Sequence, residues 1–163
     1  MKSESPKVHP DAADNDNVAQ RPRQTKDGRA ALRAHSKRVR RGLTDTLQQH
    51  GVASRQDFGR ITNTGYLCVL GYVARKLKAQ RDLGRRGSLR DTLTDSELSA
   101  VMFAETLASE RIKAEESQGV RECDEAMARS GRNVAKLRAT EKADHRPKRA
   151  RAANDADDKS SAA

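Results

Sequence analysis

Between residues 26 and 139 the apolar positions of this chain recur at helical spacing, and outside that window they thin out. From about Gly28 to His50, Leu32, Val39, Leu43 and Leu47 fall on one stripe at about 100° per residue. Gly51 is a suitable stop. Arg29, Arg33, Lys37 and Arg40 form a second stripe beside the first, so one face packs while its neighbour presents cations. Ser54-Arg55-Gln56-Asp57 resembles a capping box and opens a short helix carrying Phe58 and Ile61. Asn63 to Gly65 reads as a turn, and Tyr66 to Leu70 is the most apolar run in the chain. Periodicity does not separate strand from helix over so few residues. A lone strand would lack a partner, so a turn plus a short helix is expected. A further helix runs from Tyr72 to about Leu83, ended by Gly84, and a basic loop follows to Leu93.

Thr94-Asp95-Ser96-Glu97 is a capping-box signature for a helix reaching about Ser117. Leu98, Val101, Met102 and Ile112 share one side of it, and Phe103 and Leu107 lie on the other. A helix apolar on two sides packs between other elements or between subunits. Glu105 falls within the Leu98/Met102/Ile112 stripe, where a carboxylate requires a partner to offset desolvation. An Arg or Lys from another helix is the expected partner. The last helix spans about Val120 to Ala139, with Val120, Cys123, Met127, Val134 and Leu137 as a narrow seam and Gly131 weakening its middle. Such a seam suits an antiparallel hairpin or an oligomer contact.

The expected fold is therefore all-α, a small domain of four to five helices over residues 26–139. Disordered tails are expected at 1–25 and 140–163. Composition supports this. Hydrophobic residues make up 34% of the 163, charged residues another 34%, and tryptophan is absent. Mean hydropathy is −0.95. The ends hold too little apolar surface to offset ordering entropy, so the core should fold without them. A deep-pocketed enzyme and an all-β sandwich are both disfavoured. No apolar run reaches the roughly 20 residues that span a bilayer, and Met1 to Pro6 has no signal-peptide h-region, so a cytoplasmic location is expected.

Charge changes the picture most. The net charge is +10 and the pI about 10.1, which points to a polyanionic partner, nucleic acid before membrane. The charge is blocked. Residues 26–42 hold seven Lys/Arg against Asp27, and residues 75–90 hold seven against Asp82. Residues 91–119 reverse sign, with seven acids against Arg111 and Lys113. The candidate nucleic-acid contacts are Arg29, Arg33, Lys37, Arg40 and Arg41, assisted by Arg75, Lys76, Lys78, Arg85 and Arg86. Catalytic chemistry finds no footing. Asp57-Phe58-Gly59 lacks the rest of a kinase, and His9-Pro10-Asp11 lacks the helices of a J-domain. Cys68 and Cys123 are separate, the four histidines are scattered, and neither a metal nor a cofactor is expected. Two buried thiols in a reducing compartment is the plain reading.

Leu43-x6-His50-Gly51-Val52, Asp57-Phe58 and Thr62-Asn63-Thr64-Gly65-Tyr66-Leu67-x3-Gly71 open a stretch reaching about Arg138. It continues through Leu77 to Arg86, Leu89-Arg90-Asp91, Glu97-Leu98, Phe103, Glu105, Glu110-Arg111-Ile112 and a closing helix from Gly119 to Val134. These pieces resemble the C-terminal module of BRO-type phage antirepressors and of the bacterial DNA damage-inducible protein D family. The resemblance implies an all-helical module in a DNA-centred setting such as phage regulation, plasmid maintenance or the damage response, with no catalytic site. Those relatives assign DNA binding to a separate BRO-like N-terminal domain, and here a tail and a basic first helix stand in its place. DNA binding therefore rests on this chain's own charge pattern.

Two functions compete. One is a small DNA-associated regulator that binds duplex backbone with weak sequence preference. The other is a protein–protein module that captures a repressor or other partner without touching DNA. In the second, the two-faced helix does the work and the basic blocks only steer association. In either, Phe103 and Leu107 are the expected partner interface, including for a homo-oligomer through the last two helices.

Overall fold

A computed structural model describes residues 26–144 except Arg85, and says nothing of the side chains of Lys26, Ala143 and Asp144. Both expected tails, apart from residues 140–144, lie outside the described residues, as do Arg85 and the basic patch His145 to Arg151. Every element among the described residues is helical: α1 Lys26–Gln49, α2 Arg55–Leu70, α3 Ala74–Gln80, α4 Leu89–Thr92, α5 Asp95–Ala114 and α6 Gly119–Asp144. Among the described residues the fold is all-α, with six helices where four to five were expected. The additional one is the single turn α4, inside the stretch read as a basic loop.

The turn expected at Asn63 to Gly65 does not exist. Residues 55–70 form one continuous helix, so the apolar run Tyr66 to Leu70 is helix and not strand. Two tertiary contacts account for its turn-like letters. Asn63 uses its side-chain oxygen to accept from the Ala74 backbone N–H at 3.1 Å, which caps the start of α3. Gly65 lies against Met127 of α6, and a Cβ there would come within 3.1 Å of its sulfur. Other signals behave as expected. Ser54 accepts from Asp57 N–H at the start of α2, and Thr94 and Glu97 form a full capping box on α5. Gly51 takes a left-handed φ of 84° where α1 ends.

Helix α5 is central. α1 packs on one side of it, α6 on another, and α2 touches both α5 and α6. α1 runs parallel to α5. Arg29 pairs with Asp95 at their starts, and His50 Nδ1 donates to the Ser117 carbonyl at 2.8 Å beyond their ends. The tight Glu115 to Gln118 connection turns α6 back along α5 as an antiparallel hairpin. α2 runs parallel to α6, and the two approach so closely that a Cβ on Gly131 would stand 2.7 Å from that of Cys68. Gly131 thus serves the packing between helices rather than marking a weak point.

The core has two centres. Leu43, Leu47, Val52, Ile61, Ile112, Cys123 and Met127 fill one beside the α1–α2 and α5–α6 turns. Tyr66, Leu77, Leu89, Leu93, Leu98, Met102 and Val134 fill the other, under α3 and α4. At roughly 25 cal/mol per Å², each fully buried Leu or Ile contributes about 1.5–3 kcal/mol against exposure. Cys123 is fully buried and Cys68 only half-buried, a correction to the expected pair of buried thiols; both are unpaired, and burial raises both thiol pKa values.

Candidate functional site

Beside the second core centre lies a cluster of charged and polar side chains. Glu105 is 3% exposed. It is met as the sequence demanded, by two arginines from two other helices. Arg90 of α4 donates from Nη2 to Glu105 Oε1, from Nη1 to Ser36 Oγ at 2.8 Å, and from Nε to Tyr66 Oη at 3.2 Å. Arg40 of α1 adds an ion pair to the same Glu105 oxygen at 3.5 Å and donates to Thr62 Oγ1. Four helices thus meet in one network. Burial works against the charge on Arg90, yet Glu105 and Tyr66 together outweigh it, and the Arg90 pKa is raised. Glu105 Oε2 has no hydrogen-bond partner among the described residues. The network holds two cations against one carboxylate, with the hydroxyls of Ser36, Thr62 and Tyr66 around them.

This cluster corrects the geometry expected of the basic first helix. Arg29, Arg33 and Arg40 do not lie on a free side. Arg29 pairs with Asp95 and donates to the Asp91 and Leu93 carbonyls. Arg33 pairs with Asp91, with Ser88 Oγ 3.5 Å away. The cause is angular. Measured from the apolar stripe at about 100° per residue, these three stand roughly 45–85° away, at the edge where α4 and α5 approach. Lys37 and Arg41 stand beyond about 120°, and both are exposed with no carboxylate at ion-pair distance among the described residues. Arg38, not among the expected contacts, joins them on the outer face, its Nη2 3.3 Å from His35 Nδ1. The second basic block divides in the same way. Arg81 grips both oxygens of Glu97 at 2.9 and 3.0 Å, and Arg90 is internal. Arg75, Lys76 and Arg86 are exposed, Lys78 is half-buried, and Lys76 Nζ lies 4.3 Å over the Tyr72 ring.

Arg33 joins the two basic blocks. Its contacts to Ser88 and Asp91 bring the loop carrying Arg86 against the middle of α1, beside Lys37. Slight burial would raise the Asp91 pKa. Hydrogen bonds from Ser88 and Arg33, with the charges of Arg33 and Lys37, outweigh it and hold the carboxyl below its usual range. Arg75, Lys76 and Lys78 sit on α3, which packs on α2 and α4.

The expected partner residues also separate. Phe103 is 48% exposed, while Leu107 is half-buried against the second core centre. Among the described residues no group of His, Cys, Asp and Glu is placed to hold a metal ion, and no helix is long and apolar enough to cross a membrane.

The family model described as the DinD C-terminal domain matches residues 24–154. No curated protein matches the chain. The matched span begins before α1, so the basic first helix is part of the family's own module. Capping box, central helix and closing hairpin all fall inside it, and the chain belongs to the family of the DinD C-terminal domain.

Proposed function

We propose that this chain is a DNA-associated regulatory module of the damage-inducible, antirepressor-like type, and that it binds duplex phosphate backbone through the outer face of α1. The observation that carries the reading is the sorting of cations on α1. Three arginines are consumed by Asp91, Asp95 and Glu105, whereas Lys37, Arg38 and Arg41 are exposed with no carboxylate at ion-pair distance among the described residues. Adjacent like charges repel unless a polyanion covers them, and the net charge of +10 leaves the molecule attractive to one at long range. Contacts of this kind position a protein on DNA without reading bases, so sequence preference is weak. The role as a regulator rests on the family. The DNA contact rests on this surface.

Fluorescence anisotropy of the full chain with random-sequence duplex tests it. Binding is expected at about 150 mM salt, where charges more than about 8 Å apart are largely screened. Reversing Lys37 and Arg41 to Glu should weaken binding to all duplexes alike. Absence of wild-type binding at that salt contradicts the proposal and leaves capture of a protein partner as the reading.

A further inference from the structure

The two tyrosines have opposite settings. Tyr66 is buried and its hydroxyl accepts from Arg90. Tyr72 stands at the corner between α2 and α3 and is 39% exposed, with Val73 beside it 38% exposed. The corner is held from three sides. Gly71 takes a left-handed φ of 83° and donates its N–H to the Leu67 carbonyl at 2.9 Å. Asn63 accepts from the Ala74 N–H at 3.1 Å, and Arg138 of α6 donates to the Val69 carbonyl at 3.0 Å. Tyr72 is thus presented on a fixed backbone, although neither core centre includes it. Lys76 Nζ lies 4.3 Å over its ring, a cation held against an aromatic face. Arg75 and Lys76 are exposed, Lys78 is half-buried, and none of the three has a carboxylate at ion-pair distance among the described residues. The 24 residues between Asp57 and Asp82 contain no acid.

We propose that this corner binds single-stranded nucleic acid, an unpaired base stacking on Tyr72 while Arg75, Lys76 and Lys78 meet the adjoining phosphates. Both parts of the surface select the ligand. Cations without acids select a polyanion. An exposed aromatic ring among them selects one whose π-faces are open, and every unpaired base offers such a face. A duplex keeps its bases stacked inside, so it can use the cations and not the ring. An acidic protein segment would likewise meet the cations alone. Stacking tolerates any base, so sequence preference is weak. The site uses none of the α1 cations and does not rest on the duplex reading.

Anisotropy of the full chain with labelled oligothymidylate and oligouridylate of about 16 nucleotides tests this. Wild-type binding is expected in the micromolar range at low salt, and the tighter of the two oligomers identifies the strand. Tyr72→Ala should weaken it about tenfold while leaving helicity and duplex affinity unchanged. Tyr72→Phe keeps the ring and should keep the affinity. The chain has two Tyr and no Trp, so stacking of an unlabelled oligomer should also quench tyrosine emission, and Tyr72→Phe should abolish that quench without loss of binding. A wild-type chain that leaves both oligomers free at about 100 µM overturns the proposal. So does binding that Tyr72→Ala leaves intact or weakens equally for duplex, and so does polyglutamate that binds with the same dependence on Tyr72. If Tyr72→Ala loses helicity, emission decides: a quench that Tyr72→Phe removes supports the site, and no quench removes it. Absence of duplex binding alone would discard the α1 face and leave this corner standing.

Discussion

α1 carries two rows of cations on one 24-residue helix, and they meet opposite fates. The inner row, Arg29, Arg33 and Arg40, borders the apolar stripe and reaches Asp95, Asp91 and Glu105. The outer row, Lys37, Arg38 and Arg41, lies farther round and faces water. The residue types are nearly the same, so position relative to the stripe assigns the role. A long cationic side chain at the edge of a buried face is within reach of a neighbouring helix, and one turned away from it is not. The acidic block 91–119 therefore engages Arg29, Arg33, Arg40, Arg81 and Arg90 from inside, and the outer row is left to meet a partner.

Breaking the inner network gives the largest effect. Arg90→Leu strips Glu105 of its nearest cation and leaves its buried carboxylate to Arg40 alone, 3.5 Å away, which costs toward the lower end of about 3–5 kcal/mol and lowers the urea midpoint accordingly. Arg90→Leu with Glu105→Leu should recover part of that loss, because the stranded charge is gone. Replacing Arg29 by Ala touches a pair that is about a quarter exposed. Its expected cost is near the upper end for exposed pairs, about 1 kcal/mol, read from the same denaturation curves. Acid sharpens the contrast from another direction. The Asp91 pKa is depressed in the fold, so its contribution is present above the unfolded value of about 3.9 and is lost as pH falls through the lower folded value. Melting at pH 7 and near pH 3 should differ less for Asp91→Asn than for wild type. Smallest of all, Lys37→Glu with Arg41→Glu should leave stability within about 0.5 kcal/mol, since neither side chain holds the fold.

Much of this division was legible in the sequence, and its limits are physical. The stripe of Leu32, Val39, Leu43 and Leu47, the Thr94 to Glu97 cap and the stranded Glu105 are local patterns, and each appears where periodicity and burial place it. What is not local stayed hidden. Asn63 and Gly65 carry turn letters, yet one caps α3 and the other admits Met127, and only tertiary contact reveals that. Gly131 reads as a weak helix position until Cys68 is seen against it. Ser36 lies inside the α1 stripe and is fully buried, a sign that a polar partner had to arrive there, but nothing in the spacing named Arg90. The blocked charge was visible too. Basic blocks followed by an acidic one announce internal pairing in general, while the choice of arginines depends on how α1, α4 and α5 are packed.

The salt dependence of duplex binding tests the division of the two rows most directly. If contact is limited to about four cations, Lys37, Arg38, Arg41 and Arg86, log K should fall against log salt with a slope near −3.6, at about 0.9 per phosphate contact. Lys37→Glu with Arg41→Glu should flatten that slope by about 2. Inner-row Arg29→Gln should leave it unchanged. A wild-type slope near zero, or one that Arg29→Gln flattens as much as the outer-row variant does, would contradict the account.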